Sequence, residues 1–361
     1  MRGDLHEHGG NVYLESRCRG LRIEQLVDFS ANINPLGPSP LALEAIQSSL
    51  DLVRHYPDPD CTELTEELAT YLQVDPGMIV VGNGGAEVIQ LVADVLGPHT
   101  GLVLSPTFSE YARAIQRAGG RAIPVAFEDF DAHLDGIDVV FLCNPNNPTG
   151  SIMPRCRVLD IVHCVQRYGA TVVVDEAFMD FVENADSYTA RGDVGDGANL
   201  IVVGSLTKFF AIPGLRVGYA VAPEQLASKL REAKQTWSVN CLAQAAAVAS
   251  LRDVDYIVRT REYVAREREF LLEGLAELAG VHGFRVWPPA ANYILISVAP
   301  DSPTAGEVRR RMAESGLLVR DCSNFPLLDD RSVRIAVRTR NENKRLLSEL
   351  GRVLTVSPAR R

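Results

Sequence analysis

Short apolar runs alternate with helical patterns over most of this chain, and that alternation restricts the fold more than any other feature. Met78–Gly82, Gly101–Ser105, Asp138–Cys143, Ala170–Asp175, Leu200–Gly204 and Arg216–Ala222 read as buried strands. Between them, Ile89, Val92, Ala93 and Leu96 follow the i, i+3, i+4, i+7 spacing of one helix face, and Arg155–Tyr168 reads the same way. Alternating βα units predict an α/β fold with a mostly parallel sheet covered by helices on both faces. The pattern changes near Asp253. A long charged helix over Asp253–Ala279 is followed by strand-like Asn292–Val298 and Arg331–Val337, with helices near Thr304–Glu314 and Asn341–Leu354. This part predicts a smaller α+β domain whose first portion pairs with the N-terminal segment. The expected division is 1–45 (an N-terminal arm with part of the small domain), 46–270 (the large domain) and 271–361 (the small C-terminal domain).

Composition narrows the function classes. The formal net charge of −10 argues against nucleic acid as a partner but leaves room for a small anionic substrate in a locally positive pocket. No run approaches the roughly 20 apolar residues of a membrane span, and no secretory leader stands at the start, so a cytoplasmic protein with no membrane partner is expected. The seven cysteines are scattered and form no C-x-x-C pair; reduced thiols fit better than disulfides or a metal centre. Lysine occurs only at positions 208, 229, 234 and 344, so chemistry that needs a lysine amine has few candidates.

Lys208 ends Ser205-Leu206-Thr207-Lys208, directly after a buried strand, where partial desolvation makes an amine a better nucleophile. Asp175 closes the apolar run Thr171–Val174, and an acid at the carboxyl end of a parallel strand points toward the usual ligand crevice. Gly82-Asn83-Gly84-Gly85-Ala86-Glu87 joins a strand to a helix, where amides at a helix start can receive a phosphate. Arg216, eight residues after Lys208, could pair with the same phosphate, and Ser205 could add a hydroxyl. Asn144-Pro145-Asn146-Asn147-Pro148-Thr149-Gly150 forms a rigid turn that can offer the Asn147 amide to a ring oxygen. Phe108 can stack on a flat ring. Taken singly, each of these is more often structural than functional.

In order, however, they resemble the fold-type-I PLP-dependent transferases, the aspartate-aminotransferase-like superfamily. The ordered set spans Gly82 to Arg216. The ends, His8-Gly9-Gly10-Asn11 and Asp28-Phe29-Ser30-Ala31-Asn32-Ile33-Asn34-Pro35-Leu36-Gly37, look like the threonine-phosphate decarboxylases of cobalamin biosynthesis, with histidinol-phosphate aminotransferases as near relatives. The resemblance implies pyridoxal 5'-phosphate (PLP) as cofactor and Lys208 as its covalent anchor. It places Asp175 on the pyridine nitrogen, Asn147 on the ring hydroxyl oxygen and Phe108 on the ring face. Gly85, Ala86, Ser205 and Arg216 would hold the cofactor phosphate. Tyr56 would reach that phosphate from a partner subunit, which makes a homodimer. His8, Gly9, Asn32, Asn147, Arg320 and Arg334 would contact a small phosphorylated amino acid; the division of its carboxylate and phosphate between the two arginines stays open. Phe178 stands where many aminotransferases carry a tyrosine. The implied activity is decarboxylation of O-phospho-L-threonine. Transamination of histidinol phosphate or a similar amino acid is the alternative, and a non-catalytic protein on the same fold is the remote one.

Overall fold

The computed structural model describes residues 8–195 and 197–355. Thirteen strands occur in chain order among them: β1 (Val27–Asp28), β2 (Ile79–Gly82), β3 (Thr100–Ser105), β4 (Arg121–Ala126), β5 (Val139–Cys143), β6 (Thr171–Asp175), β7 (Leu200–Ser205), β8 (Gly218–Val221), β9 (Arg285–Val286), β10 (Tyr293–Ser297), β11 (Leu317–Leu318), β12 (Arg320–Asp321) and β13 (Ser332–Ala336). The chain divides into two compact units.

The larger unit comprises Leu36–Asn147 and Ile152–Arg261. Its seven-stranded sheet has the order β2-β8-β7-β6-β5-β3-β4. β8 runs antiparallel to both neighbours, and the other pairings are parallel. This is the mostly parallel α/β sheet that the alternation of apolar runs and helical patterns predicts. Its central strands are apolar on both faces because helices cover both; Val172, Val173 and Val174 are completely buried. Removing each such side chain from water contributes about 1.5–3 kcal/mol. β4 gave no strand signal in the sequence because Pro124 interrupts it. It is an edge strand, the place where a residue without an N–H is tolerated.

The smaller unit comprises the described residues up to Pro35, Pro148–Ser151, and those from Glu262 onward. An antiparallel sheet of order β12-β13-β10-β9 carries a core of Ile294, Ile296, Val333 and Ile335, closed by Val308 and Met312 of the helix Ala305–Glu314. The N-terminal segment pairs in parallel through β1 with β11, Val27 against Leu317. Phe29, completely buried, locks it there: its N–H donates to the Leu318 carbonyl at 2.7 Å and its own carbonyl accepts from Ala336 at 2.9 Å. The helix Val254–His282 crosses from the one set of residues to the other. Among the described residues, no helix is long and apolar enough to cross a membrane, and no His/Cys/Asp/Glu group could hold a metal.

Candidate active site

In the larger unit the strand ends gather most of the residues singled out from sequence. β7 ends at Ser205, which caps the short helix Leu206–Phe209 through a bond from the Thr207 N–H. The Ser205 Oγ lies 2.7 Å from the Thr207 hydroxyl and 3.4 Å from Lys208 Nζ. One strand over, β6 ends at Asp175, in register with Cys143 at the end of β5.

Ser205 also faces the start of the helix Gly85–Leu96. A side chain at Gly85 would come within 3.6 Å of the Ser205 Cβ. Gly84, the N-cap, has φ +88°, and a Cβ there would collide with the Arg216 guanidinium at 2.3 Å. Only glycine allows that approach. Helix-start amides, an arginine fork and a serine hydroxyl thus converge on one point, beside the amine of Lys208. The first amides of a helix have no partner within it and favour an anion. Glu87 accepts from the Asn83 N–H, so this acid is engaged by the loop itself.

Asp175 is buried, and burial pushes its carboxyl up from the ordinary range. Tyr111 opposes that by donating to Oδ2 at 2.6 Å, the Ala177 N–H by donating to Oδ1 at 2.9 Å, and Lys208 through its charge. The Lys208 amine lies 5.8 Å from the centre of the Phe178 ring, which carries no hydroxyl. The turn that bears Asn147 is tied at several points. The Asn144 N–H donates to the Asp175 carbonyl at 2.8 Å, and its amide bridges Met153 and Tyr188. Asn146 binds the Pro106 carbonyl and accepts from Thr107. Asn147 is buried at the end of this turn. Phe108 meets Tyr111 edge-on at 5.7 Å.

These residues meet the demands of a flat, phosphorylated, protonated aromatic ring: an anion cradle, a buried acid, an amide and an amine within one set of strand ends. Tyr111 and Cys143 were not anticipated, although Tyr111 lies only three residues after Phe108. Tyr56 lies apart, 78% exposed and stacked on Trp237 at 4.4 Å between ring centres. A cavity of the larger unit lined by Asp60, Thr62, Glu66, Arg231 and Lys234 contains none of the site residues. Its cations are spent on the carbonyls of Gly77, Ile79 and Pro59.

In the smaller unit the structure pairs the two arginines. Arg320 on β12 stands directly across from Arg334 on β13, and both are buried. Arg334 donates to the Ser30 carbonyl at 2.7 Å and lies over the Tyr293 ring at 5.5 Å. Burial pushes its guanidinium below the ordinary arginine range. Arg320 donates to Asn324 at 2.8 Å and lies over Phe325 at 5.4 Å. His8 and Gly9 line a small cavity with Ser30 and Arg320. Gly9 must be glycine, because a Cβ would sit 2.1 Å from the Ser30 carbonyl oxygen. Asn32 is buried, and its Oδ1 has no hydrogen-bond partner among the described residues.

The family model described as aminotransferase class I and II matches residues 24–350. The chain belongs to this family. Its cofactor is pyridoxal 5'-phosphate, which the strand-end arrangement fits. The chain is 35% identical to threonine-phosphate decarboxylase of Salmonella typhimurium over 98% of both proteins. It is 34% identical to histidinol-phosphate aminotransferase of Methanothermobacter thermautotrophicus over 93% of this chain and 91% of that one. Among solved structures it is similar to L-threonine-O-3-phosphate decarboxylase from Porphyromonas gingivalis, with a TM-score of 0.82 at 28% identity, covering 91% of this chain and 99% of that one.

Proposed function

We propose that the chain decarboxylates O-phospho-L-threonine to aminopropanol phosphate and CO2, as in cobalamin biosynthesis. The observation that carries this reading is the direct pairing of two buried arginines, Arg320 and Arg334, on neighbouring strands. Two adjacent buried cations suit a substrate with two anionic groups, a carboxylate and a phosphate. Histidinol phosphate offers only one. The likeness to two proteins named as threonine-phosphate decarboxylases supports the same choice.

The residue roles follow from the chemistry. Lys208 would be the covalent anchor of the cofactor, and its amine would supply the proton that the substrate Cα receives. Asp175 keeps a proton on the ring nitrogen, Asn147 donates to the ring hydroxyl oxygen, and Phe108 packs on the ring face. Gly85, Ala86, Ser205 and Arg216 hold the phosphate of the cofactor. His8, Gly9, Asn32, Asn147, Arg320 and Arg334 orient the substrate. When bound, PLP supplies an electron sink for whichever Cα bond stands perpendicular to its ring. The substrate-binding residues therefore decide the outcome: decarboxylation requires the Cα–carboxylate bond to be held there, transamination the Cα–H bond. The exposed Tyr56 serves a neighbouring copy's cofactor phosphate in a homodimer.

The deciding experiment supplies O-phospho-L-threonine without 2-oxoglutarate and measures CO2 and aminopropanol phosphate. Stoichiometric release of both is expected. Turnover that depends strictly on 2-oxoglutarate would instead establish transamination, the reading to which the histidinol-phosphate aminotransferase relative lends weight.

A further inference from the structure

We propose that Tyr111 is a positioning residue for the cofactor: its hydroxyl fixes the orientation of the Asp175 carboxylate and keeps it an anion facing the ring nitrogen. This rests on the assignment of Asp175 to that nitrogen.

The argument begins with a conflict. A carboxylate stripped of water favours its neutral form, and a neutral Asp175 could not keep a ring nitrogen protonated. Asp175 is 6% exposed, so burial works against its role. Two donors oppose burial, one on each oxygen: the Tyr111 hydroxyl on Oδ2 and the Ala177 N–H on Oδ1. The N–H is part of the backbone and comes with the turn after β6. The hydroxyl is a choice of side chain.

Tyr111 is built for this one task. It is completely buried on the helix Glu110–Arg117. Its ring stacks on Phe141 of β5 at 5.4 Å and takes the edge of Phe108 at 5.7 Å, so the phenol oxygen has a single direction. Burial and the neighbouring Asp175 push its own ionisation well above the ordinary tyrosine range. The hydroxyl therefore remains a donor at every working pH. The other titratable groups facing the pair are Cys143 on β5, Lys208 after β7 and Tyr219 on β8. Burial holds both Cys143 and Tyr219 in their neutral forms. Lys208 is thus the charged neighbour among them, and its amine becomes engaged when the cofactor is attached. Tyr111 then remains the side-chain donor that stabilises the anion.

The test uses Tyr111→Phe, which keeps the ring and its packing, loaded with PLP carrying 15N at the ring nitrogen. The nitrogen resonance, followed against pH, is expected to show deprotonation about one unit lower than in wild type, the equivalent of a tenfold change. The dissociation constant for PLP, measured by reconstituting the apoprotein, is expected to rise about tenfold. In an Asp175→Asn background, the same Tyr111→Phe change should leave both quantities within twofold. Unchanged titration and affinity in a folded Tyr111→Phe protein would overturn the inference, as would an effect that persists beside Asn at position 175. If Asp175→Asn alone leaves the ring-nitrogen titration unmoved, the assignment of Asp175 fails first, and that outcome is distinguishable from failure of Tyr111.

Discussion

Asp175 and Arg334 are both buried ionisable side chains, yet the two units of the molecule bury charge in opposite ways. Asp175 is a single carboxylate at the end of a parallel strand, with a phenol and an amide N–H donating to its two oxygens. Arg334 stands in register with Arg320 on the neighbouring antiparallel strand, with a backbone carbonyl and a tyrosine ring around its guanidinium. On the proposed reading, the strand ends of the larger unit, where helix starts and a buried acid supply the partners, would take the cofactor, and the arginine-bearing strands of the smaller unit would take the substrate anions.

The largest expected effect lies in the larger unit. On the proposed reading, replacing Lys208 with Ala removes both the covalent anchor and the proton donor. We expect turnover to fall by at least about a thousandfold, within the range for loss of a positioned acid–base group. Borohydride reduction followed by peptide mass analysis should then find no PLP on the chain. A tag on Lys229, Lys234 or Lys344 would place the chemistry elsewhere and dissolve the contrast.

The next concerns charge without catalysis. Glu176, beside Asp175, accepts from Thr189 at 2.6 Å and from the Ala190 N–H at 2.7 Å. Burial, partly offset by those bonds, pushes its carboxyl up to about 7 from an ordinary 4.5. The folded chain thus holds this proton more tightly than the unfolded chain. The associated stability is complete below about pH 4.5 and declines by about 1.4 kcal/mol per pH unit until about pH 7, beyond which it is flat. Glu176→Gln lacks that slope. Unfolding curves of both proteins from pH 4.5 to 8, in the same cofactor state, should show the difference moving in the variant's favour as pH rises. Parallel curves would mean that Glu176 ionises normally.

What could be read from the sequence divides along the same line. Lys208, Asp175, Ser205 and the Gly82–Glu87 loop announced themselves because each directly follows a strand-like apolar run, and a strand end is a defined place. Tyr111 and Glu176 did not. The first depends on which way a helix face turns, the second on a loop folding back from Thr189, and neither leaves a periodic trace. The two-residue strands β1, β9, β11 and β12 are too short to show alternation, so the facing of Arg320 and Arg334 could not be seen. Residues 148–151 read as the end of a turn, yet they group with the smaller unit, where the Gly150 carbonyl accepts from Ala290.

A smaller effect separates the two arginines. Arg320→Lys and Arg334→Lys each keep the charge but lose the planar fork. Loss of a charged hydrogen bond of about 1.5–3 kcal/mol predicts a rise in KM of roughly ten- to a hundredfold, with a lesser change in kcat. Repeating the assay with unphosphorylated threonine sharpens the assignment. The variant whose defect disappears holds the phosphate, and the variant whose defect stays holds the carboxylate. If both defects persist, the pair acts as one site and neither arginine is specific.

The smallest effect probes the support behind that sheet. Thr304 caps the helix Ala305–Glu314 with a reciprocal pair of bonds: its hydroxyl accepts from the Glu307 N–H at 3.3 Å, and the Glu307 carboxylate accepts from the Thr304 N–H at 2.9 Å. Val308 and Met312 of this helix pack on the core beneath β13. Thr304→Ala should cost about 1 kcal/mol, the usual loss for a cap of this kind. Thermal unfolding should register that loss as a lower Tm. The dissociation constant for PLP should not move, because the proposed cradle of Gly85, Ser205 and Arg216 belongs to the other unit. A Thr304→Ala protein that binds PLP several-fold more weakly would show that the smaller unit's stability reaches the cofactor, and the separation of roles drawn between Asp175 and Arg334 would not stand.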